Sequence, residues 1–98
     1  MRILIADDHS VVRKGLRQIL LEGFPNAEIE EVADAEAMVR KIMQSEFNVV
    51  ISDLSMPGRS GLEALQQIKQ INAKLPVLIL SIHPEEQYAL RALKSGAS

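Results

Sequence analysis

Three acidic residues and one hydroxyl stand at the ends of short apolar runs in this sequence. Asp7 and Asp8 end one run, Asp53 ends a second, and Ser81 ends a third. If the runs are parallel strands of an open α/β sheet, their carboxyl ends lie at the edge where ligands bind. The sequence therefore predicts a small site of three carboxylates and a hydroxyl at that edge.

Such a site suits a divalent cation and a phosphoryl group. Mg²⁺ prefers oxygen ligands and commonly uses one or two carboxylates together with phosphate oxygens. Clustered carboxylates repel one another, and a bound cation removes that penalty. An aspartate held beside the cation can act as a nucleophile and form an acyl phosphate, and the hydroxyl of Ser81 can donate to a phosphate oxygen.

Four strands are predicted to position these groups. Each is a short, mostly aliphatic run, and together they are residues 2–6, 27–33, 47–52 and 76–80. The second run is only partly apolar, as expected at a sheet edge, whereas the third is apolar enough for burial on both faces.

The first predicted helix begins after the acidic pair. Ser10 is a plausible N-cap, and the following apolar residues have the spacing of one helical face. That stripe consists of Val12, Leu16, Ile19 and Leu20.

Three more helices follow the later strands. Asp34 is a candidate cap for the second, Ser60 and Glu63 fit a capping box for the third, and Pro84 suits the first turn of the fourth. The predicted core-facing residues are Ala35, Met38, Val39, Ile42 and Met43 in the second helix, Leu62, Leu65 and Ile68 in the third, and Ala89, Ala92 and Leu93 in the fourth.

Alternating strands and helices predict a parallel sheet with right-handed crossovers. The fold class is therefore α/β, a doubly wound parallel sheet with the strand order 2-1-3-4. Its topological switch point lies between the first and third strands, where Asp7, Asp8 and Asp53 are expected.

Composition limits the other possibilities. The 98 residues allow one domain, the net charge is −2 and cysteine is absent. Because no basic stripe occurs, we do not expect this segment to bind nucleic acid by itself, and thiolate metal sites are excluded. No apolar run approaches the ~20 residues of a membrane helix, so we expect a cytoplasmic protein that does not enter the membrane.

The motifs resemble one family across the whole chain. The sequence is similar to the receiver domains of two-component response regulators (CheY-like), and residues 7–16 and 90–98 resemble the NarL/FixJ subfamily. The motif residues are Asp7, Asp8, Asp53, Met56, Pro57, Gly61 and Ser81. The resemblance implies a flavodoxin-like fold, a sensor histidine kinase as partner, and a DNA-binding output domain that this chain does not contain.

The resemblance also implies individual roles. Asp53 would be the phosphoacceptor, and Asp8 would bind Mg²⁺ directly while Asp7 acts mainly through water. The backbone carbonyl of Ser55 would be a further metal ligand, and Ser81 the switch hydroxyl.

The sequence departs from the family pattern at its end. A receiver domain has five strand–helix units, and the fifth strand and helix, with their lysine, have no counterpart within residues 1–98. We therefore expect phosphorylation or its readout to be impaired in this 98-residue form, and an exposed fourth strand that favours a homodimer or domain-swapped self-association.

Two other classes of function compete with a phosphorylated signalling module. One is a Mg²⁺-dependent phosphatase, but the D-x-D motif of the haloacid-dehalogenase type is absent, as are the glycine-rich nucleotide motifs. The other is an interaction module that is not phosphorylated. His9 could suggest a metal ligand, but we interpret it as a residue of the loop or of the helix start.

Overall fold

The computed structural model describes residues 1–53 and 61–80, which form four strands and three helices. Strands and helices alternate as the sequence predicts. Their bounds are β1 Arg2–Ala6, α1 Ser10–Gly23, β2 Glu28–Val32, α2 Ala35–Gln44, β3 Val49–Asp53, α3 Gly61–Ile71 and β4 Val77–Leu80. The predicted fourth helix, Ser55, Ser60 and Ser81 lie outside the described residues.

The sheet is parallel and has the strand order β2-β1-β3-β4, which confirms the predicted topology. β1 lies between β2 and β3. Ala6 pairs with Val32 on one side and with Ser52 on the other. β2 and β3 pair with opposite edges of β1. A topological switch point therefore forms at the carboxyl end of β1.

Helices pack on both faces of this sheet, which makes it doubly wound. On one face, α2 and α3 cover a cluster that includes Leu4, Val50 and Ile68. On the other face, α1 packs over a smaller cluster of strand side chains, namely Ile3, Ile5, Ile29 and Ile51. β3 contributes to both clusters, which confirms that this strand is buried on both sides.

The second helix begins at its predicted cap, but one of its predicted core residues is exposed. The side chain of Asp34 accepts a hydrogen bond from the backbone N–H of Ala37 at 2.7 Å, so the predicted cap is confirmed. The predicted burial of Met43 was wrong, because its side chain is 66% exposed. Met43 follows the buried Ile42 by one residue, which turns it about 100° around the helix axis, past the edge of the stripe.

The first helix differs from prediction in two details. Its N-cap is His9 rather than Ser10, and the cap has no side-chain hydrogen bond. Asp7 explains this shift, because its Oδ1 accepts the backbone N–H of His9 at 2.7 Å and turns the chain one residue earlier. Ile19 was predicted to be buried but is 65% exposed, since the covered face of α1 is centred nearer Leu16 and Leu20.

The third helix presents its predicted apolar face to the core. Leu65 is 1% exposed and Ile68 is fully buried, as predicted, together with Ala64. The side chain of Leu62 is not among those the structure describes. Within residues 1–53 and 61–80, no helix combines the length and the apolarity that crossing a membrane requires.

A chain of ion pairs lies along the outer strand β2. Glu30 accepts from the Nζ of Lys41 at 2.8 Å and from the Nη2 of Arg2 at 2.7 Å. The hydrogen bond from Lys41, with further attraction from Lys41 and Arg2, lowers the pKa of Glu30. These contacts tie the first residue of β1 to α2 across β2.

Ile68→Ala should lower the free energy of unfolding by about 2 to 5 kcal/mol, because it leaves a cavity in the larger core cluster. Urea denaturation followed by far-UV circular dichroism measures the loss. The control is Met43→Ala, which should change stability by less than about 0.5 kcal/mol at its exposed position. Equal losses in the two variants would contradict the described packing of both helices.

Lys41→Met should destabilise the protein at neutral pH by roughly 0.2 to 1 kcal/mol, as expected for a partly exposed ion pair. Since the folded-state pKa of Glu30 lies below its unfolded value, the pair stabilises the protein above the ordinary glutamate pKa. That contribution disappears as the pH falls through the lowered pKa. The difference between wild type and variant should therefore vanish in acid.

The matched control is Lys14→Met on α1, where the described residues provide no ion pair for Lys14. Its effect on stability should not follow the titration of Glu30. If the loss of stability in Lys41→Met persists unchanged to low pH, the lysine stabilises the fold through a contact other than the Glu30 carboxylate.

Candidate metal centre

The acidic residues of the sequence meet at the carboxyl ends of β1 and β3. Asp7 directly follows β1, and Asp53 is the last residue of β3. Since Ala6 pairs with Ser52, the next step along both strands brings Asp7 beside Asp53. Both residues are buried, at 1% and 2% exposed. The topology thus places two carboxylates at the switch point of the sheet, as predicted.

The Asp7 side chain is held by the loop that follows it. Its Oδ1 accepts the backbone N–H of His9 at 2.7 Å and lies 2.9 Å from the ring Nδ1 of the same histidine. Its Oδ2 is buried and has no hydrogen-bond partner among the described residues. A buried carboxylate oxygen without a donor is costly, and a cation is one group that would satisfy it.

Asp8 and His9 form the open side of the cluster. The side chain of Asp8 is 32% exposed, and its Oδ1 lies 3.0 Å from the Nδ1 of His9. The hydrogen bond with Asp7 and the negative charge of Asp8 raise the pKa of His9 above its ordinary value. Both effects favour the charged form of the imidazole ring, which lies between the two aspartates.

One ligand atom from each of Asp7, Asp8, His9 and Asp53 can be chosen so that all four lie within 4.8 Å of one another. This spacing is compatible with one divalent cation, and the carboxylate oxygens are ligands that Mg²⁺ prefers. Strand pairing fixes the backbone here on both sides, because Ser52 pairs with Ala6 of β1 and Asp53 pairs with Leu80 of β4. The site therefore combines a rigid strand end with a loop.

His9 was predicted to start a helix, and it does, as the N-cap of α1. Sequence reasoning nevertheless missed its place among the carboxylates. The available signal was the position of His9 directly after the acidic pair. Because an N-cap residue is held close to the preceding turn, the ring of His9 can contact the two aspartates.

Arg13 was also missed, although it holds the acidic loop in place. Its Nη1 donates to the backbone carbonyl of Asp7, and its Nε donates to Glu31 at 3.1 Å. Arg17 donates to the other oxygen of Glu31, also at 3.1 Å. The backbone that carries Asp7 is thereby tied to both α1 and β2, through a side chain that is only 19% exposed.

Ser55 and Ser81 lie outside the described residues, so their predicted roles as carbonyl ligand and switch hydroxyl stay predictions. The acidic pocket itself, with Asp7, Asp8 and Asp53, is present and could bind a metal ion.

The chain is similar to curated proteins over nearly its whole length. The chain is 40% identical over 98 residues to the oxygen regulatory protein NreC of Staphylococcus carnosus (strain TM300), covering 99% of this chain and 45% of that protein. It is 34% identical over 97 residues to the glycerol metabolism activator of Pseudomonas putida, covering 98% of this chain and 44% of that protein. The chain thus spans less than half the length of these relatives.

Solved structures show the same fold. A two-component response regulator of the LuxR family from Aurantimonas sp. SI85-9A1 matches with a TM-score of 0.87 and 37% identity, covering 99% of this chain and 69% of that one. The response regulator TrrA from Thermotoga maritima, in complex with Mg²⁺-BeF, matches with a TM-score of 0.86 and 28% identity, covering 99% and 81%. These neighbours confirm the CheY-like flavodoxin fold.

The family described as Response regulator receiver domain matches residues 3–98. That match covers nearly the whole chain and agrees with the parallel sheet and with the acidic residues at its switch point. The chain therefore belongs to the response regulator receiver domains of two-component systems.

Proposed function

We propose that the chain accepts a phosphoryl group on Asp53 from a sensor histidine kinase, in the presence of Mg²⁺. The observation that carries this proposal is the convergence of Asp7, Asp8 and Asp53 within one small cluster at the switch point. Receiver domains interact with histidine kinases, and this chain is a receiver domain.

The transfer requires an aspartate oxygen that can reach phosphorus. An oxygen of Asp53 would form a bond to the phosphorus of a phosphohistidine as the bond from phosphorus to the histidine nitrogen breaks, and the leaving imidazole takes up a proton. The burial of Asp53 at the end of β3 limits the directions from which the donor can approach.

The residues present fit a magnesium ion. Asp8 would bind it directly from the more exposed side, Asp7 would act mainly through water, and Asp53 would share it with the phosphoryl group. A bound Mg²⁺ supplies positive charge that offsets the carboxylates and the incoming phosphoryl oxygens. TrrA, a structural neighbour, is described in complex with Mg²⁺-BeF, which supports this assignment.

The proposal extends to the parent protein through its relatives. Two of them are named as a metabolic activator and an oxygen regulatory protein, and a structural neighbour belongs to the LuxR family. We infer a cytoplasmic regulator whose DNA-binding output lies outside this chain. The receiver acts as a signalling module and is not an enzyme with a separate substrate.

Self-association remains a prediction. Leu78 in β4 is 46% exposed, which gives an apolar contact point on the last strand of the described sheet. Sedimentation velocity over a range of concentrations, with and without Mg²⁺ and beryllium fluoride, measures the equilibrium. A compact monomer at all concentrations would contradict it.

Incubation with Mg²⁺ and acetyl phosphate should attach one labile phosphoryl group to wild type and none to Asp53→Asn. Intact-protein mass spectrometry detects the product, and alkali should remove it. Asp34→Asn is the matched control, because it makes the same change at a helix cap away from the site, where asparagine also caps well.

Three results would contradict the proposal, and they point in different directions. Equal labelling of Asp53→Asn would place the acceptor elsewhere. Rapid, sustained turnover of the donor would favour the phosphatase alternative, whereas an unmodified wild type would favour an interaction module that is not phosphorylated.

Arg13→Met should weaken Mg²⁺ binding, because the Asp7 carbonyl loses its donor and the acidic loop is no longer tied to Glu31. Isothermal titration calorimetry measures the affinity, and urea unfolding separately measures a stability loss of about 1 to 3 kcal/mol. Arg17→Met is the control, since it removes a contact to the same glutamate but leaves the donor to Asp7. If both variants lose the same Mg²⁺ affinity, Arg13 only stabilises the fold.

A further inference from the structure

The ring of His9 lies against the carboxylates of Asp7 and Asp8. Its Nδ1 is 2.9 Å from Oδ1 of Asp7 and 3.0 Å from Oδ1 of Asp8. Two adjacent ligands of a six-coordinate ion with bonds of about 2.1 Å are separated by about 3.0 Å. The distance from the nitrogen to each oxygen therefore matches the spacing of neighbouring ligand positions, although both contacts are also those of a hydrogen-bonded or ion-paired histidine.

The local backbone fixes this arrangement. His9 is the N-cap of α1 with an extended backbone (φ −100°, ψ 110°), and its N–H donates to Asp7. Three consecutive residues thus carry the three candidate ligand atoms on one short loop, and Arg13 holds the first of them by its carbonyl.

A second observation points to a ligand at this cluster. Asp7 is 1% exposed, and its Oδ2 is buried with no hydrogen-bond partner among the described residues. The imidazole contacts Oδ1 only, so it does not satisfy the second oxygen. This unpartnered atom belongs to the same carboxylate that faces the ring.

We propose that His9 supplies a nitrogen ligand which lets this site bind borderline divalent ions such as Ni²⁺ or Co²⁺, in addition to the Mg²⁺ of the proposed function. The inference rests on that function for the metal centre but concerns a different ligand and class of ion. Imidazole suits Ni²⁺, Cu²⁺ and Zn²⁺, whereas Mg²⁺ prefers carboxylate, carbonyl and water oxygens.

The ligand set predicts how the ions compete. At a mixed nitrogen and oxygen site, affinity for first-row divalent ions rises toward Ni²⁺ and Cu²⁺. Removal of the nitrogen should therefore weaken Ni²⁺ binding strongly and Mg²⁺ binding little. Loss of an outer contact to a ligand already costs 10- to 100-fold in many metal sites, so loss of His9 should cost Ni²⁺ affinity roughly tenfold or more.

The experiment uses the full chain without a histidine tag and titrates Ni²⁺ alone and Mg²⁺ alone by isothermal titration calorimetry. His9→Gln should lose roughly tenfold or more in Ni²⁺ affinity and far less in Mg²⁺ affinity. The sequence has two histidines, so His83→Gln is the matched control and should bind both ions as wild type does.

A second readout tests coordination directly. One-dimensional proton NMR of the Co²⁺-loaded protein should show strongly shifted imidazole resonances, which His9→Gln should lack and His83→Gln should retain. These signals report a metal–nitrogen bond and do not depend on phosphorylation.

The outcomes separate this inference from the proposed function. If Mg²⁺ supports labelling of Asp53 but His9→Gln binds Ni²⁺ as tightly as wild type, only the histidine ligand is overturned. Equal loss in His83→Gln would also overturn it, because it would indicate that Ni²⁺ binds nonspecifically to either histidine. If wild type binds neither ion, both the inference and the metal centre of the proposed function fail.

Discussion

The structure depends on the parallel pairing of β1 with β3, because this pairing brings acidic groups together that are 46 positions apart in the sequence. Leu4 pairs with Val50 and Ala6 with Ser52, and the paired apolar side chains are fully or nearly fully buried. Burial of such surface is the main stabilising contribution to the fold. The same register then sets Asp7 next to Asp53, where like charges directly side by side are destabilising. Apolar burial along the strands thus stabilises an arrangement that is unfavourable at their ends.

The loop after β1 reduces this electrostatic cost in the metal-free protein. The backbone N–H of His9 and its ring both approach Oδ1 of Asp7, and the same ring approaches Asp8. Arg13 adds a positive charge behind the loop while it donates to the Asp7 carbonyl. These contacts fall on one side of the cluster, and Oδ2 of Asp7 remains buried without a partner among the described residues. The loop therefore offsets only part of the repulsion among the carboxylates.

Much of the fold was predictable from sequence because the signals are local. Short aliphatic runs predict β1, β3 and β4, whereas β2 has a weaker signal because only Ile29 and Val32 are apolar in it. The Asp34 cap marks the start of α2. The acidic site was predictable because both carboxylates directly follow such runs. The predicted burial of Ile19 and Met43 was wrong, because helical spacing leaves an uncertainty of about one residue, or 100°, at the edge of an apolar stripe. Arg13 could not be found this way, since its partner Glu31 is 18 positions away and its acceptor on Asp7 is a backbone atom. The roles of Ser55 and Ser81 are untested predictions.

Asp7 Oδ2, which is buried and has no hydrogen-bond partner among the described residues, should lower the stability of the metal-free fold. An amide in its place would keep an acceptor for the His9 N–H and would replace a buried anionic atom with an uncharged donor facing other carboxylates. Natural proteins commonly hold such strained groups at working sites, where neutral replacements raise stability and abolish activity. A laboratory selection for heat resistance, carried out in a chelating medium, would therefore tend to enrich asparagine at this position and erase the cluster. If natural sequences nevertheless keep aspartate here, selection acts on cation binding more strongly than on the stability of the fold.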